Sequence, residues 1–169
     1  MKTCRKLLII GVILGMFLSI NRVDAYVLHK YKLPFKSVSY KFTSTKYKTE
    51  WEQAMASWKV CGFNFYIMSN ALNSMGCTNI GGSDDLGITY FDSINIWGEL
   101  TKFTMYLNSN TSHFSKSNWA RSTAAHEIGH AIGLAHVSSS SALMSHYRDR
   151  SKIYTPQTDE KNGVNAKYK

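Results

Sequence analysis

The sequence predicts a mixed fold of the α+β class with α/β character, in which strands and helices succeed one another within one domain. Three observations predict it. Val38 to Thr43 alternates, with Val38, Tyr40 and Phe42 on one side, as a half-buried strand does. Trp51, Ala54, Met55 and Trp58 fall at i, i+3, i+4 and i+7, an apolar stripe of helical period. A second helical stretch, from about Ser117 or Asn118 to Leu134, sets Trp119, Ile128 and Ile132 to pack on a sheet and histidines on the opposite side.

The elements then follow in order. Val38 to Thr43 is the first strand. Ser44 or Thr45 caps the first helix and Gly62 stops it. Its tryptophans are core side chains rather than a stacking platform. Phe63 to Met68 is a second strand. Asn70 to Asp85, rich in Asn, Ser, Gly and Asp, is loop with room for one short strand of undefined position. Gly87 to Phe91 and Lys102 to Asn108 are further strands across a polar turn. Beyond the second helix lies an irregular serine-rich connection. Thr155 and Pro156 then open a C-terminal helix ending near Tyr168, with proline suited to a first turn.

The N-terminus reads as an export signal. Lys2, Arg5 and Lys6 precede an apolar run from Leu7 to Ile20, and Val23-Asp24-Ala25 offers a cleavage site after Ala25. The run is short for a membrane span of about 20 residues. Loss of residues 1–25 removes four basic residues and one acidic residue, lowering the formal net charge from +9 to +6. Residues 26–37 form an N-terminal arm or short pro-segment, and 38–169 one domain large enough for its own core. Cys4 leaves with the signal. Cys61 and Cys77 remain, and in an exported protein two such cysteines suggest a disulfide. Their spacing does not suit a zinc knuckle. The lysines and aromatics between Tyr31 and Lys48 alternate as a strand with one solvated face does, which argues against nucleic-acid binding.

The chemistry is concentrated in His126-Glu127-Ile128-Gly129-His130-Ala131-Ile132-Gly133-Leu134-Ala135-His136. Residues four apart share a helix face, so His126 and His130 can present imidazoles to one point. A third ligand, His136, would miss that point on a continuing helix. Gly133 tolerates the left-handed conformation that ends a helix and turns the chain. Three protein ligands leave a fourth zinc position to water, the catalytic arrangement. Glu127 follows the first ligand and can serve as general base toward that water. His29, His113 and His146 stand alone in sequence and read as surface or local packing.

This stretch resembles the metzincin zinc peptidases, whose pattern H-E-x-x-H-x-x-G-x-x-H is followed by a methionine turn. Met144, within Ser141-Ala142-Leu143-Met144, is similar to the matrixin version of that turn, and Pro156-Gln157, Asp159, Gly163-Val164 and Tyr168 echo the closing matrixin helix. The resemblance implies a twisted, mostly parallel five-stranded sheet with one antiparallel edge strand, two long helices and a C-terminal helix. It further implies one catalytic Zn2+, Gly87 to Phe91 as the edge strand above a substrate cleft, and Ala142 to Tyr147 as part of the cleft wall. Three departures stand out: Val137 stands where matrixins have serine after the third histidine, Ser145-His146-Tyr147 replaces their Tyr-Pro after the methionine, and Tyr147 sits three residues beyond the methionine where astacins and serralysins have a tyrosine two beyond. Asp84, Asp85 and Asp92 offer carboxylates for Ca2+, although solvated loop carboxylates are the simpler account.

The expected function is that of a secreted, monomeric zinc endopeptidase acting on proteins or peptides, without nucleic-acid or stable membrane partners. Two alternatives stay open. One is a narrow hydrolase of a single signalling or cell-wall peptide. The other is a zinc-bearing binding protein or toxin without turnover, for which a retained Glu127 has no evident use.

Overall fold

The computed structural model describes residues 26–81 and 85–169, so the expected export signal at residues 1–25 and Asp84 lie outside the described residues. Two strands of two residues each, β1 (Val27–Leu28) and β7 (Leu134–Ala135), form an antiparallel pair apart from the main sheet. The main sheet contains β2 (Ser37–Phe42), β3 (Asn64–Ile67), β4 (Ser74–Thr78), β5 (Gly87–Ile94) and β6 (Leu100–Asn108). Its order is β3-β2-β4-β6-β5, with β5 antiparallel at the edge and every other pairing parallel. Three α-helices among the described residues complete the fold: α1 (Lys48–Ser57), α2 (Trp119–Ile132) and α3 (Thr158–Lys167). This is the expected mixed architecture. No helix among the described residues is long and apolar enough to cross a membrane.

The predicted stripe of α1 is the heart of the core: Trp51, Ala54, Met55 and Trp58 are all buried. Each tryptophan also satisfies its ring N–H, Trp51 on Gly76 O (3.0 Å) and Trp58 on Ala125 O (3.1 Å). The second bond ties α1 to α2 one residue before His126. Ile128 and Ile132 of α2 are buried as expected, but Trp119 is only half-buried and stacks on His113 with Lys116 over its ring.

Several boundaries differ from expectation. No side chain caps α1, because Tyr47 in the left-handed conformation (φ 62°) precedes it in place of Ser44 or Thr45. The last turn of that helix tightens to a 3-10 turn, Trp58–Cys61, closed by Gly62 at φ 84°. Thr155 and Pro156 precede α3 rather than opening it. The start of α3 is set by a capping box in which Glu160 accepts the Gln157 backbone N–H at 2.9 Å. The strand that sequence left unplaced is β4, a central strand. Its Ser74, Gly76 and Thr78 belong to a stretch of loop-like composition, which hides a strand whose first three residues are buried.

Cys61 and Cys77 are free thiols, which corrects the expected disulfide. Cys61 lies beside Lys36, whose ammonium donates to its carbonyl (3.1 Å), at the start of β2. Cys77 lies on β4 two residues past Met75, the partner of Phe42 at the end of β2. The six residues of β2 thus separate them by roughly 20 Å at about 3.3 Å per residue. A disulfide needs Cα atoms within about 7 Å.

Candidate metal centre

Helix α2 carries the site because nearly all of it is buried between the sheet and the rest of the chain. His126, Glu127 and His130 share its last two turns. Gly133 ends it at φ 106°, and a Cβ there would stand 2.7 Å from Tyr31 O, so both conformation and space require glycine. The chain then enters β7, where Val27 pairs with Ala135 and Leu28 with Leu134, and His29 N–H donates to Gly133 O at 2.9 Å. The N-terminal arm thereby fixes the segment that delivers His136. It also contributes buried Tyr31 and Leu33 to the core.

The three histidines meet. His136 Nε2 lies 3.1 Å from His126 Nε2 and 2.9 Å from His130 Nε2. Zinc–nitrogen bonds of 2.0–2.1 Å in a tetrahedron imply nitrogens about 3.3–3.4 Å apart, so this donor set fits such an ion within a few tenths of an ångström. Burial is the main cause that holds all three imidazoles below the usual histidine range: His126 far below, His130 at about 3 and His136 at about 4. They are neutral at pH 7, the form that ligates metal.

Glu127 is buried beside them, and burial raises its carboxyl to about 7 despite a hydrogen bond from Thr89. The Thr89 hydroxyl donates to Glu127 Oε2 at 2.7 Å and lies 3.1 Å from its carbonyl oxygen. Gly87, on the same strand, lets β5 approach closely, since a Cβ there would come within 2.9 Å of Glu127 Oε1. A cleft of about 340 Å³ runs between β5 and the His146–Arg150 segment, with α2 beneath it.

Met144 is buried under α2, against Gly129, where an added Cβ would collide with its sulfur. Two buried charged residues hold the turn. Glu160 of α3 accepts the Met144 N–H at 3.0 Å. Arg148 donates to Ser145 O (2.6 Å), to Ser122 Oγ (3.1 Å) and to Ser122 O (3.2 Å). The predicted residues His126, Glu127, His130, Gly133, His136 and Met144 are therefore assembled in one place. Tyr147 is not among them, and its side chain is 78% exposed. Asp92 holds the Thr104 hydroxyl (2.7 Å) and faces Lys102 (3.9 Å) on the solvated side of the sheet.

Sequence reasoning missed Thr89, Glu160, Arg148 and two histidines. His146 Nε2 lies 3.0 Å from His136 Nδ1, and His29 packs on Tyr31, Phe91 and His130 while lining the cleft. The signal for His146 was its place two residues after Met144. His29, about a hundred residues from the motif, gave none. His113 is local packing, as expected.

No curated protein matches the chain by sequence. Among solved structures it is similar to a chain in the GM1-bound form of the ECX AB5 holotoxin, with a TM-score of 0.57 and 15% identity over 83% of this chain and 85% of that one. At that identity the likeness concerns the fold alone. A family model described as Matrixin, of the M10 peptidases, matches residues 73–169, which include the whole histidine stretch and the methionine turn. Covering more than half of the sequence, that match makes the chain a member of the matrixin family of metallopeptidases.

Proposed function

We propose that the chain is a secreted zinc endopeptidase in which Glu127 is the general base. The observation that carries this reading is the juxtaposition of the three converging Nε2 atoms with a buried Glu127 carboxylate, all facing one cleft beneath the edge strand. His126, His130 and His136 would hold the ion. The chemistry supplied by zinc in such a place is acidification of a water and polarisation of the scissile carbonyl. Glu127, fixed through Oε2 by Thr89, takes the proton of the attacking water and returns it to the leaving amine. Its raised pKa suits both transfers near neutral pH. An extended substrate adds to the open edge of β5 through main-chain hydrogen bonds, which aligns its carbonyl over α2.

The test is metal content together with hydrolysis of casein or quenched peptides, with and without a chelator. One zinc per chain is expected, with cleavage lost on chelation and restored by zinc. Glu127→Ala should keep its zinc and lose at least about 10²-fold in rate. Wild-type turnover in that variant would refute the assigned base. Zinc without cleavage of any of these substrates would point to a single narrow substrate. Export is checked by N-terminal sequencing of protein from the culture medium, which should begin at Tyr26.

A further inference from the structure

Each of the three converging imidazoles turns Nε2 toward the common point and Nδ1 toward a partner. For His126 the partner is Leu143 O at 2.8 Å, and for His130 it is Leu134 O at 2.9 Å. A carbonyl only accepts, so both rings carry their proton on Nδ1 and keep the Nε2 lone pair for metal. The third ring differs. His136 Nδ1 faces the Nε2 of His146 at 3.0 Å, and a ring nitrogen can donate or accept. His136 is also the ligand that most needs support. It lies beyond the end of α2 on an exposed stretch, whereas the other two are anchored in the helix.

We propose that His146 is the positioning residue of the third ligand, accepting the His136 Nδ1–H and so fixing the tautomer and ring plane in which His136 binds zinc. The inference rests on the zinc-centre reading above. Coordination through Nε2 leaves His136 only Nδ1 for its proton, and His146 Nε2 is the acceptor the structure provides there. His146 then carries its own proton on Nδ1, which its exposure to solvent allows. It is not a fourth ligand, because it stands outside the group of ligand atoms that converge. Its ring centroid lies 3.8 Å from that of His136 but 6.0 Å from that of His126. Partners that orient a ligand in this way are typically worth 10- to 100-fold in metal affinity.

The experiment measures zinc affinity by competition with a chromophoric chelator in wild type, His146→Ala and His146→Gln, beside the melting temperature of each metal-free protein. His146→Ala should bind zinc about 10- to 100-fold more weakly while melting like wild type without metal. His146→Gln, whose amide oxygen can accept the same N–H, should recover most of that loss. Nitrogen-15 spectra of the zinc-loaded wild type should show His136 protonated at Nδ1 and His146 Nε2 unprotonated. Equal affinity in wild type and His146→Ala would overturn the proposal alone, as would a glutamine variant no better than alanine. A wild type that binds no zinc would overturn the metal-centre reading and this inference with it.

Discussion

At the scale of single residues, the site keeps three imidazoles neutral and one carboxylate poised near neutrality, and this has a consequence for stability. His126, His130 and His136 have folded values below 6.5, so the unfolded chain binds protons that the folded chain refuses. The stability they lend is complete above pH 6.5 and is lost as pH falls below it, toward about 4 for His136, about 3 for His130 and further still for His126. Glu127 works in the opposite sense. Its value is raised from 4.5 to about 7, so its contribution is present below 4.5 and lost as pH rises through 7. Between pH 4.5 and 6.5 three histidines oppose one carboxylate, and the histidines prevail. Thermal melts of chelator-treated protein should therefore show a falling melting temperature from pH 7 to pH 5. Glu127→Gln removes the opposing group and should steepen that fall. A melting temperature independent of pH across this range would contradict the burial of the histidine cluster.

At the scale of elements, the decisive event is the end of α2. A helix carries its residues along a fixed axis, and His136 reaches the common point only because Gly133 breaks the pattern at φ 106°. Alanine there meets two penalties. The left-handed conformation costs a non-glycine residue about 1–2 kcal/mol, and the new Cβ would press on Tyr31 O at 2.7 Å. Gly133→Ala should lower stability by at least about 1–2 kcal/mol in denaturant titrations, and it should weaken zinc retention because His136 moves with the turn. Loss of stability with unchanged zinc affinity would show that β7 alone is enough to place His136. The other side of the site is held by bonds between elements rather than within them. Glu160 reaches from α3 to the methionine turn, and Trp58 reaches from α1 to α2.

At the scale of the whole molecule, residues 26–37 and the segment around α3 finish a site built between them. The arm at residues 26–37 pairs with the strand after α2, buries Tyr31 and Leu33, and presents His29 to the cleft. Tyr168, near the C-terminus, accepts the Leu33 N–H (3.0 Å) and donates its hydroxyl to Ile132 O (2.7 Å), joining the arm, α3 and the end of α2. A removable pro-segment and a structural arm predict opposite results for deletion of residues 26–33. Removal of a pro-segment would preserve or raise peptidase activity. The contacts described here predict a lower melting temperature and weaker zinc retention, measured by scanning calorimetry and chelator competition.

Local patterns were legible in consecutive residues. The stripe on α1 was legible because a helix repeats every 3.6 residues. The motif from His126 to His136 was legible because ligand spacing on a helix, and a glycine to end it, are properties of consecutive residues. The strand β2 was visible through alternation, whereas β5 was expected only as far as Phe91 and its edge position came from the family resemblance. Other contacts join residues far apart in sequence and needed the folded chain to be seen. Strand β4 has the composition of a loop, and only its place between β2 and β6 makes it a strand. Cys61 and Cys77 look like a pair until β2 is seen to hold them apart. His146 acts only because the methionine turn folds back beside His136, and Glu160 and His29 join the site from opposite ends of the chain. Local periodicity records which face of an element is buried; it does not record which distant side chain will complete that face, because that contact exists only once the sheet order and the helix packing have been made.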